Sequence, residues 1–301
     1  MKQPFFKHRW GVFTHFLYGC PSGTSNDPVS DNDWNGRTDY LDVEKIASQL
    51  HQMGAQYYFI TIMQGRKYLL APNDTFDRIA GTLPGEACSK RDVIADLIKA
   101  LKPYNIDLCL YYTGDGPYQD VEIGKKFGFI EPREKVTKEF VTRWANVLKE
   151  YSLRYGDSIK AWWIDGCYDR WEYNWELLDL YRQAVRAGNP DTVIAFNNGV
   201  KPYLENWGDG DYTAGEFNDF IYFPKENEIP GAKTQILAPL GVRNDDKPWG
   251  AWACHGVKRD RAYMKDYIQK VNQAGGMVTI DIHIGADGSF DKEQIDILTN
   301  L

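Results

Sequence analysis

The sequence of 301 residues is long enough for a large buried core, and 43% apolar with 14% aromatic residues is a globular composition. Lys and Arg total 35 against 42 for Asp and Glu, a formal charge of −7, and no Lys/Arg-rich block is present, so we expect no nucleic-acid partner. No apolar run approaches the roughly 20 residues of a membrane-spanning helix, which excludes a membrane span.

Cysteine spacing and the N-terminal sequence bear on redox chemistry and location. The five cysteines include no CxxC pair, so we expect free thiols. The N-terminal residues MKQPFFKHRWGVF lack the charged start, long apolar stretch and cleavage site of a signal peptide. We therefore expect either a periplasmic or extracellular protein whose leader is not part of this sequence, or a cytoplasmic protein. The oligomeric state stays open.

Apolar runs rich in β-branched and aromatic residues alternate with amphipathic helical stretches along the chain. The predicted strands are 10–18, 56–63, 107–113, 159–165, 192–197, 211–215, 234–240 and 277–284. The predicted helices are 42–54, 91–103, 134–153, 174–187 and 259–273. This alternation indicates a parallel sheet, and eight strands predict a closed (β/α)8 TIM-type barrel, with residues 1–301 forming one catalytic domain.

Polar side chains stand at the ends of otherwise apolar strands, where a barrel of this type builds its active site. These residues are His15, Gln64, Arg66, Tyr111, Tyr112, Asp165, Asn197, Asn198, Glu216, Asp281 and His283. Their position predicts a functional rim at one end of the barrel.

Asp165 is the most distinctive of these residues because it follows the apolar run AWWI. It could act in catalysis or simply cap the next helix or turn. Glu216 ends a later strand and is its natural partner, since two carboxyl groups facing one pocket can cleave a glycosidic bond. A Glu in such a loop could also be a solvated surface group.

Other chemistries find less support in the sequence. His15, Asp165, Glu216 and His283 could converge on a metal, but no HxH or HExxH pair accompanies them, so we predict no metal. No G-x-G-x-x-G or Walker-type loop follows a strand, and no G-x-S-x-G motif is present. We therefore expect no cofactor.

Five segments in order resemble the catalytic barrel of the α-L-fucosidases of glycoside hydrolase family 29. They are WGVFTHFLYG, DVEKIASQLHQMGAQYYFITI, SKRDVIADLIKALKPYNIDLCLYYT, LRYGDSIKAWWIDG and NQAGGMVTIDIHIGADGSFDKEQIDIL. The resemblance covers most of the chain and implies a retaining mechanism. It implies Asp165 as the nucleophile, Glu216 of DYTAGE as the acid/base, and sugar contacts by His15 and Trp163.

The chain departs from the family pattern at two sugar-binding motifs. The segment MQGRKY (63–68) stands where the family has KHHDGF, and NNGV (197–200) stands where it often has NDRWG. We hypothesise that Arg66 or Lys67 directs a cation toward the pocket and favours a sulfated or carboxylated sugar, although both could instead point to solvent.

The resemblance and the residues together predict a glycosidase that acts on α-L-fucosides or a related, substituted sugar. Gln64, Tyr111, Tyr112 and Asn198 are further candidates for sugar contact. Trp249 and Trp252 are candidates for a stacking wall, although both could instead simply anchor their loop. The expected partner is an oligosaccharide or glycoside substrate. The alternative is a barrel that binds glycans and no longer hydrolyses them.

Overall fold

A computed structural model describes residues 4–19, 30, 32–242 and 250–301. Within these residues, seven strands form one parallel sheet in the order β5-β4-β3-β2-β1-β7-β6. Their bounds are β1 Trp10–Thr14, β2 Tyr57–Thr61, β3 Asp107–Thr113, β4 Ile159–Asp165, β5 Val193–Phe196, β6 Gln235–Pro239 and β7 Met277–Ile282. The sheet curls into a TIM-like barrel, which confirms the predicted fold class.

The eighth predicted strand, 211–215, is not a regular strand, yet it lies between the two edge strands β5 and β6. The Asp211 amide donates to the Ile194 carbonyl of β5 at 2.8 Å. Farther along, Thr213 donates to Lys233 at 3.0 Å and Phe217 donates to Leu237 of β6 at 2.9 Å. The segment 211–217 therefore occupies the eighth position of the barrel without forming a continuous ladder.

Alternate side chains of the strands face opposite sides of the sheet. One buried apolar cluster fills the barrel interior, and a second lies between the sheet and the helices. The interior cluster is Phe5, Phe13, Tyr57, Phe59, Cys109, Tyr111, Ala161, Trp163, Val193, Ala195, Tyr212, Ala214, Leu237 and Met277. Because Tyr212 and Ala214 belong to it, the irregular segment presents its side chains inward as a barrel strand would.

The α-helices surround the sheet. They are α1 Trp34–Tyr40, α2 Val43–Met53, α3 Asp74–Ala80, α4 Val93–Leu101, α5 Val121–Phe127, α6 Lys138–Tyr155, α7 Trp175–Arg186, α8 Arg261–Gln273 and α9 Lys292–Leu298. In α2, the Asp42 carboxylate accepts from the Lys45 amide at 3.0 Å, and Gly54 ends the helix in the left-handed conformation. Among the helices described, none is long and apolar enough to cross a membrane.

Candidate active site

A cavity of about 290 Å³ opens at the carboxyl ends of the strands. Seven predicted site residues line it: His15, Gln64, Tyr111, Trp163, Asp165, Glu216 and Trp252. Phe13, Leu17, Leu237 and Ala253 complete its wall. The structure therefore brings together residues from the ends of β1 to β4, from the segment 211–217 and from the loop after β6. This is where the loops of a parallel barrel meet.

Asp165 ends β4, and three donors surround its carboxylate. Tyr111 donates from its hydroxyl at 2.6 Å, Asn197 from its side-chain amide at 2.8 Å, and Gly166 from its backbone at 2.7 Å. Because every partner is a donor, the contacts stabilise negative charge on Asp165 and fix its orientation. Asp165 does not cap the helix that follows, since Asn174 takes that position at α7.

Glu216 lies next to Asp165 at the end of the irregular eighth segment. Burial raises the pKa of its carboxyl group to about 8, and the negative charge of Asp165 adds to this effect. A hydrogen bond from the Asn197 side chain to Oε2, at 2.5 Å, opposes the rise. Two neighbouring carboxyl groups thus differ in environment, one held by donors and the other biased toward its protonated form.

Asn197 connects the two carboxyl groups through one nitrogen atom. Its Nδ2 lies 2.8 Å from Oδ1 of Asp165 and 2.5 Å from Oε2 of Glu216. These two oxygens can be no farther apart than the sum of those distances. The limit applies to one pair of oxygens, and it is compatible with the roughly 5–5.5 Å that separates the carboxyl groups of retaining glycosidases.

His15 belongs to a second hydrogen-bonded group in the wall. Its Nδ1 lies 2.7 Å from Oδ1 of Asp281, and the other oxygen of Asp281 accepts from the Ala253 amide at 2.7 Å. Asp281 is fully buried at strand β7. A carboxylate can only accept here, so Nδ1 of His15 carries the proton and its other nitrogen is left for the cavity.

The structure places three of the predicted sugar contacts outside the main cavity. Tyr112 is fully buried on the helix side of the sheet, where its ring stacks on Trp144 at 5.0 Å, because it alternates with the inward-facing Tyr111. Arg66 lies outside the cavity wall and pairs with Asp120 at 3.8 Å. Asn198 faces away from the main cavity and accepts from the Asp169 amide at 3.0 Å.

Lys67 and Trp249 were also predicted to contact the sugar or its substituents. Lys67 pairs with Glu86 at 3.7 Å, so neither cation of the MQGRKY segment lines the cavity. Trp249 lies outside the described residues.

Among the described residues, no group of three or more His, Cys, Asp and Glu side chains is arranged to hold a metal ion.

A third carboxyl group, Asp115, lies behind Asp165 and was not singled out from the sequence. It follows β3 in the loop TGDG, accepts from the Thr113 hydroxyl, and lies 3.4 Å from Nε of Arg133. Burial raises its pKa to about 7, and Asp165 adds to the rise. Asp115 could have been found in the sequence only by noting an acidic residue directly after a buried strand.

Several solved structures with a similar fold are glycoside hydrolases. An alpha-L-fucosidase of family 29 from Bacteroides thetaiotaomicron has a TM-score of 0.69 and 19% identity, covering 99% of this chain and 71% of that one. A trapped covalent intermediate of such an enzyme, with 2-fluoro-fucosyl fluoride, has the same TM-score and identity, covering 99% and 72%. An endo-fucoidan hydrolase of family 107 has a TM-score of 0.70 and 14% identity, covering 96% and 51%.

Sequence comparison identifies the family. No curated protein matches the chain. The family model described as Alpha-L-fucosidase, in contrast, matches residues 29–301, which include the segments that carry Asp165, Asn197, Glu216 and Asp281. The chain therefore belongs to the alpha-L-fucosidase family and is a glycosidase.

Proposed function

We propose that this protein hydrolyses α-linked glycosides of L-fucose or a closely related sugar with retention of configuration. Asp165 attacks the anomeric carbon, the bond to the leaving oxygen breaks, and Glu216 transfers its proton to that oxygen. Glu216 then takes a proton from a water molecule, whose oxygen attacks the anomeric carbon and releases Asp165. The observation that carries the proposal is the contact of one Asn197 nitrogen with both carboxyl groups.

The environments of the two carboxyl groups suit these roles. A nucleophile must be ionised, and three donors hold the negative charge of Asp165. An acid must hold its proton in the free enzyme, and a pKa of about 8 keeps Glu216 protonated at neutral pH. The trapped covalent intermediate of the related fucosidase is in line with a covalent route.

The cavity wall favours a neutral sugar. No Lys or Arg is among the described residues that line it, whereas Phe13, Trp163 and Trp252 give it an aromatic surface. Flat aromatic rings suit the apolar face of a sugar ring, and the polar contacts come from His15, Gln64 and Tyr111. We therefore favour a sugar without sulfate or carboxylate over the charged sugar that the MQGRKY segment suggested.

Azide rescue tests the two roles separately. With a para-nitrophenyl α-L-fucoside as substrate, Asp165→Gly should lose roughly 10⁴-fold in kcat, and added azide should give the glycosyl azide of inverted configuration. Glu216→Ala with azide should give the azide of retained configuration, because azide then replaces the water that attacks the covalent intermediate.

Two results would contradict the proposed function. Interchanged product configurations would exchange the roles of Asp165 and Glu216. Binding of α-L-fucosides by the wild-type protein without turnover, across aryl glycosides and natural oligosaccharides, would mean that the barrel binds glycans and does not hydrolyse them.

A further inference from the structure

A second, smaller cavity lies beside Glu216. It is lined by Asn197, Asn198, Lys201, Tyr203, Glu205 and Glu216, together with backbone of the β5 end and the eighth segment. Glu216 also lines the main cavity, so the two cavities adjoin at this residue. A group bound in the second cavity would therefore lie next to Glu216 and next to the main cavity.

Two charged side chains of the second cavity lack a protein partner. Oε1 of Glu205 is buried and makes no hydrogen bond. Lys201, in the part of the chain that the structure describes, forms no ion pair. A buried polar atom without a partner costs about 1–3 kcal/mol and is rare in folded proteins. Sugar hydroxyls can both donate to Glu205 and accept from Lys201, so they satisfy both groups at once.

The size of the second cavity and the exposure of Tyr203 set how a ligand would lie. The cavity volume is about 20 Å³, which admits one hydroxyl or water-sized group and no whole ring. Tyr203 is 53% exposed beside it and offers a flat aromatic face. A sugar ring would thus lie across the opening against Tyr203, with one hydroxyl directed inward toward Glu205.

We propose that this cavity binds the departing sugar, that is, the hydroxyl-bearing leaving group of the glycoside. The inference rests on the proposed function, in which the proton of Glu216 passes to the oxygen that links the two sugars as that oxygen separates from the anomeric carbon. The leaving group must depart on the side of its acid. Lys201, Tyr203 and Glu205 are then binding residues for the leaving sugar.

The test compares two leaving groups. A fucosyl disaccharide offers hydroxyls to the second cavity, whereas a para-nitrophenyl fucoside offers none and depends little on acid assistance. The measured quantity is kcat/KM for the disaccharide divided by kcat/KM for the aryl substrate. We expect Tyr203→Ala and Glu205→Gln each to lower this ratio about tenfold, which corresponds to the loss of one contact. Tyr40→Ala is the matched control, since Tyr40 is 40% exposed and lines neither cavity.

The outcomes separate this inference from the proposed function. If the wild-type protein cleaves both substrates and neither variant changes the ratio, the leaving-sugar site is refuted while the hydrolase stands. If Tyr203→Ala and Tyr40→Ala change the ratio equally, the effect is not local and the inference also fails. If the wild-type protein cleaves neither substrate, the proposed function fails first. Tyr203 is half-exposed, so its removal tests the site even if Glu205→Gln does not fold.

Discussion

At the scale of single residues, the site depends on how Asn197 shares its amide between two acids. Its contact with Glu216 lowers a pKa that burial and Asp165 raise. Asn197 therefore contributes, with burial and Asp165, to the upper end of the pH range in which Glu216 would act as the proposed acid. The balance between the three effects is visible only in the folded protein, because it depends on distances between segments far apart in the chain.

The first prediction concerns the alkaline limb of the pH profile. In the wild-type protein, kcat/KM should fall above pH about 8 as Glu216 loses its proton. Asn197→Ala removes the hydrogen bond that favours the charged form, so the limb should move to higher pH while the maximal rate drops. Rates measured between pH 5 and pH 10 give both values. A limb that stays in place in Asn197→Ala would refute the assignment of this limb to Glu216.

The second prediction concerns Asp281, whose two oxygens hold His15 and the backbone of Ala253. An amide has one acceptor oxygen, so Asp281→Asn either leaves one of these donors without a partner or forces the proton of His15 from Nδ1 to the nitrogen that faces the cavity. We expect about a tenfold loss of kcat/KM, mostly through KM, because His15 lines the proposed sugar cavity and is not proposed to take part in proton transfer. Steady-state kinetics with an aryl fucoside measure kcat and KM of both proteins.

A second His–Asp pair provides the control for that change. His255 lies 2.7 Å from Asp291, the same distance as His15 from Asp281, but neither of these residues lines the cavity. Asp291→Asn also keeps a residue suited to the start of helix α9. If it raised KM as much as Asp281→Asn, the effect would come from general loosening of the fold.

The limits of sequence reasoning at this scale follow from geometry. Position at strand ends identified Asp165, Glu216 and His15 as candidates, because the ends of parallel strands meet at one rim. It could not separate Asn197 from Asn198, since a turn after β5 decides which amide faces the acids. Similarly, it could not show that Arg66 pairs with Asp120, a contact between two different loops.

At the scale of elements, the segment 211–217 places Glu216, the proposed acid, on an irregular piece of backbone. Gly215, directly before Glu216, has a φ of 58°, which takes the chain out of the extended conformation. A side chain there would also meet the Gln235 carbonyl of β6 at 1.8 Å. The sequence predicted a strand here from its apolar residues, and the left-handed glycine is the physical reason why a regular ladder does not form.

The third prediction tests this close approach. Gly215→Ala should displace the segment from β6 and so lower the melting temperature. We expect a fall well over the 2–4 °C that accompanies a loss of about 1 kcal/mol. The variant should also have a lower kcat, because Glu216 moves with the segment. Gly231→Ala is the matched control, with a φ of 90° and no atom near the added methyl group. Equal losses of stability in the two variants would mean that contact with β6 is unimportant.

At the scale of the whole molecule, the alternation of strand and helix was predictable because it is repeated and periodic. Each of the eight predicted strands lies in the barrel wall, seven as regular strands and one as the segment 211–217. The short helices α1, α3, α5 and α9 were not predicted, since seven residues carry too little periodicity to distinguish a helix from a loop.

The fourth prediction concerns stability as a function of pH. Glu216 keeps its proton to about pH 8 in the folded protein, whereas an unfolded chain releases it near its ordinary value of 4.5. Between these values the folded state binds more protons, so raising the pH favours unfolding. The wild-type protein should therefore lose stability relative to Glu216→Gln as the pH rises from 5 to 8. Urea unfolding of both proteins at the two pH values measures this, and a constant difference would contradict it.

The irregular eighth position has a consequence for engineering the enzyme. The connection after β5 leads to Glu216, the proposed acid, and also carries Lys201, Tyr203 and Glu205. This connection enters the barrel wall through a few hydrogen bonds at 211–217 and not through a full ladder. Exchanging residues 199–209 for loops of other lengths should therefore leave the seven regular strands unchanged. It should alter which sugar the enzyme accepts beside the fucose, so this connection is the place to begin a library for the synthesis of new fucosylated sugars.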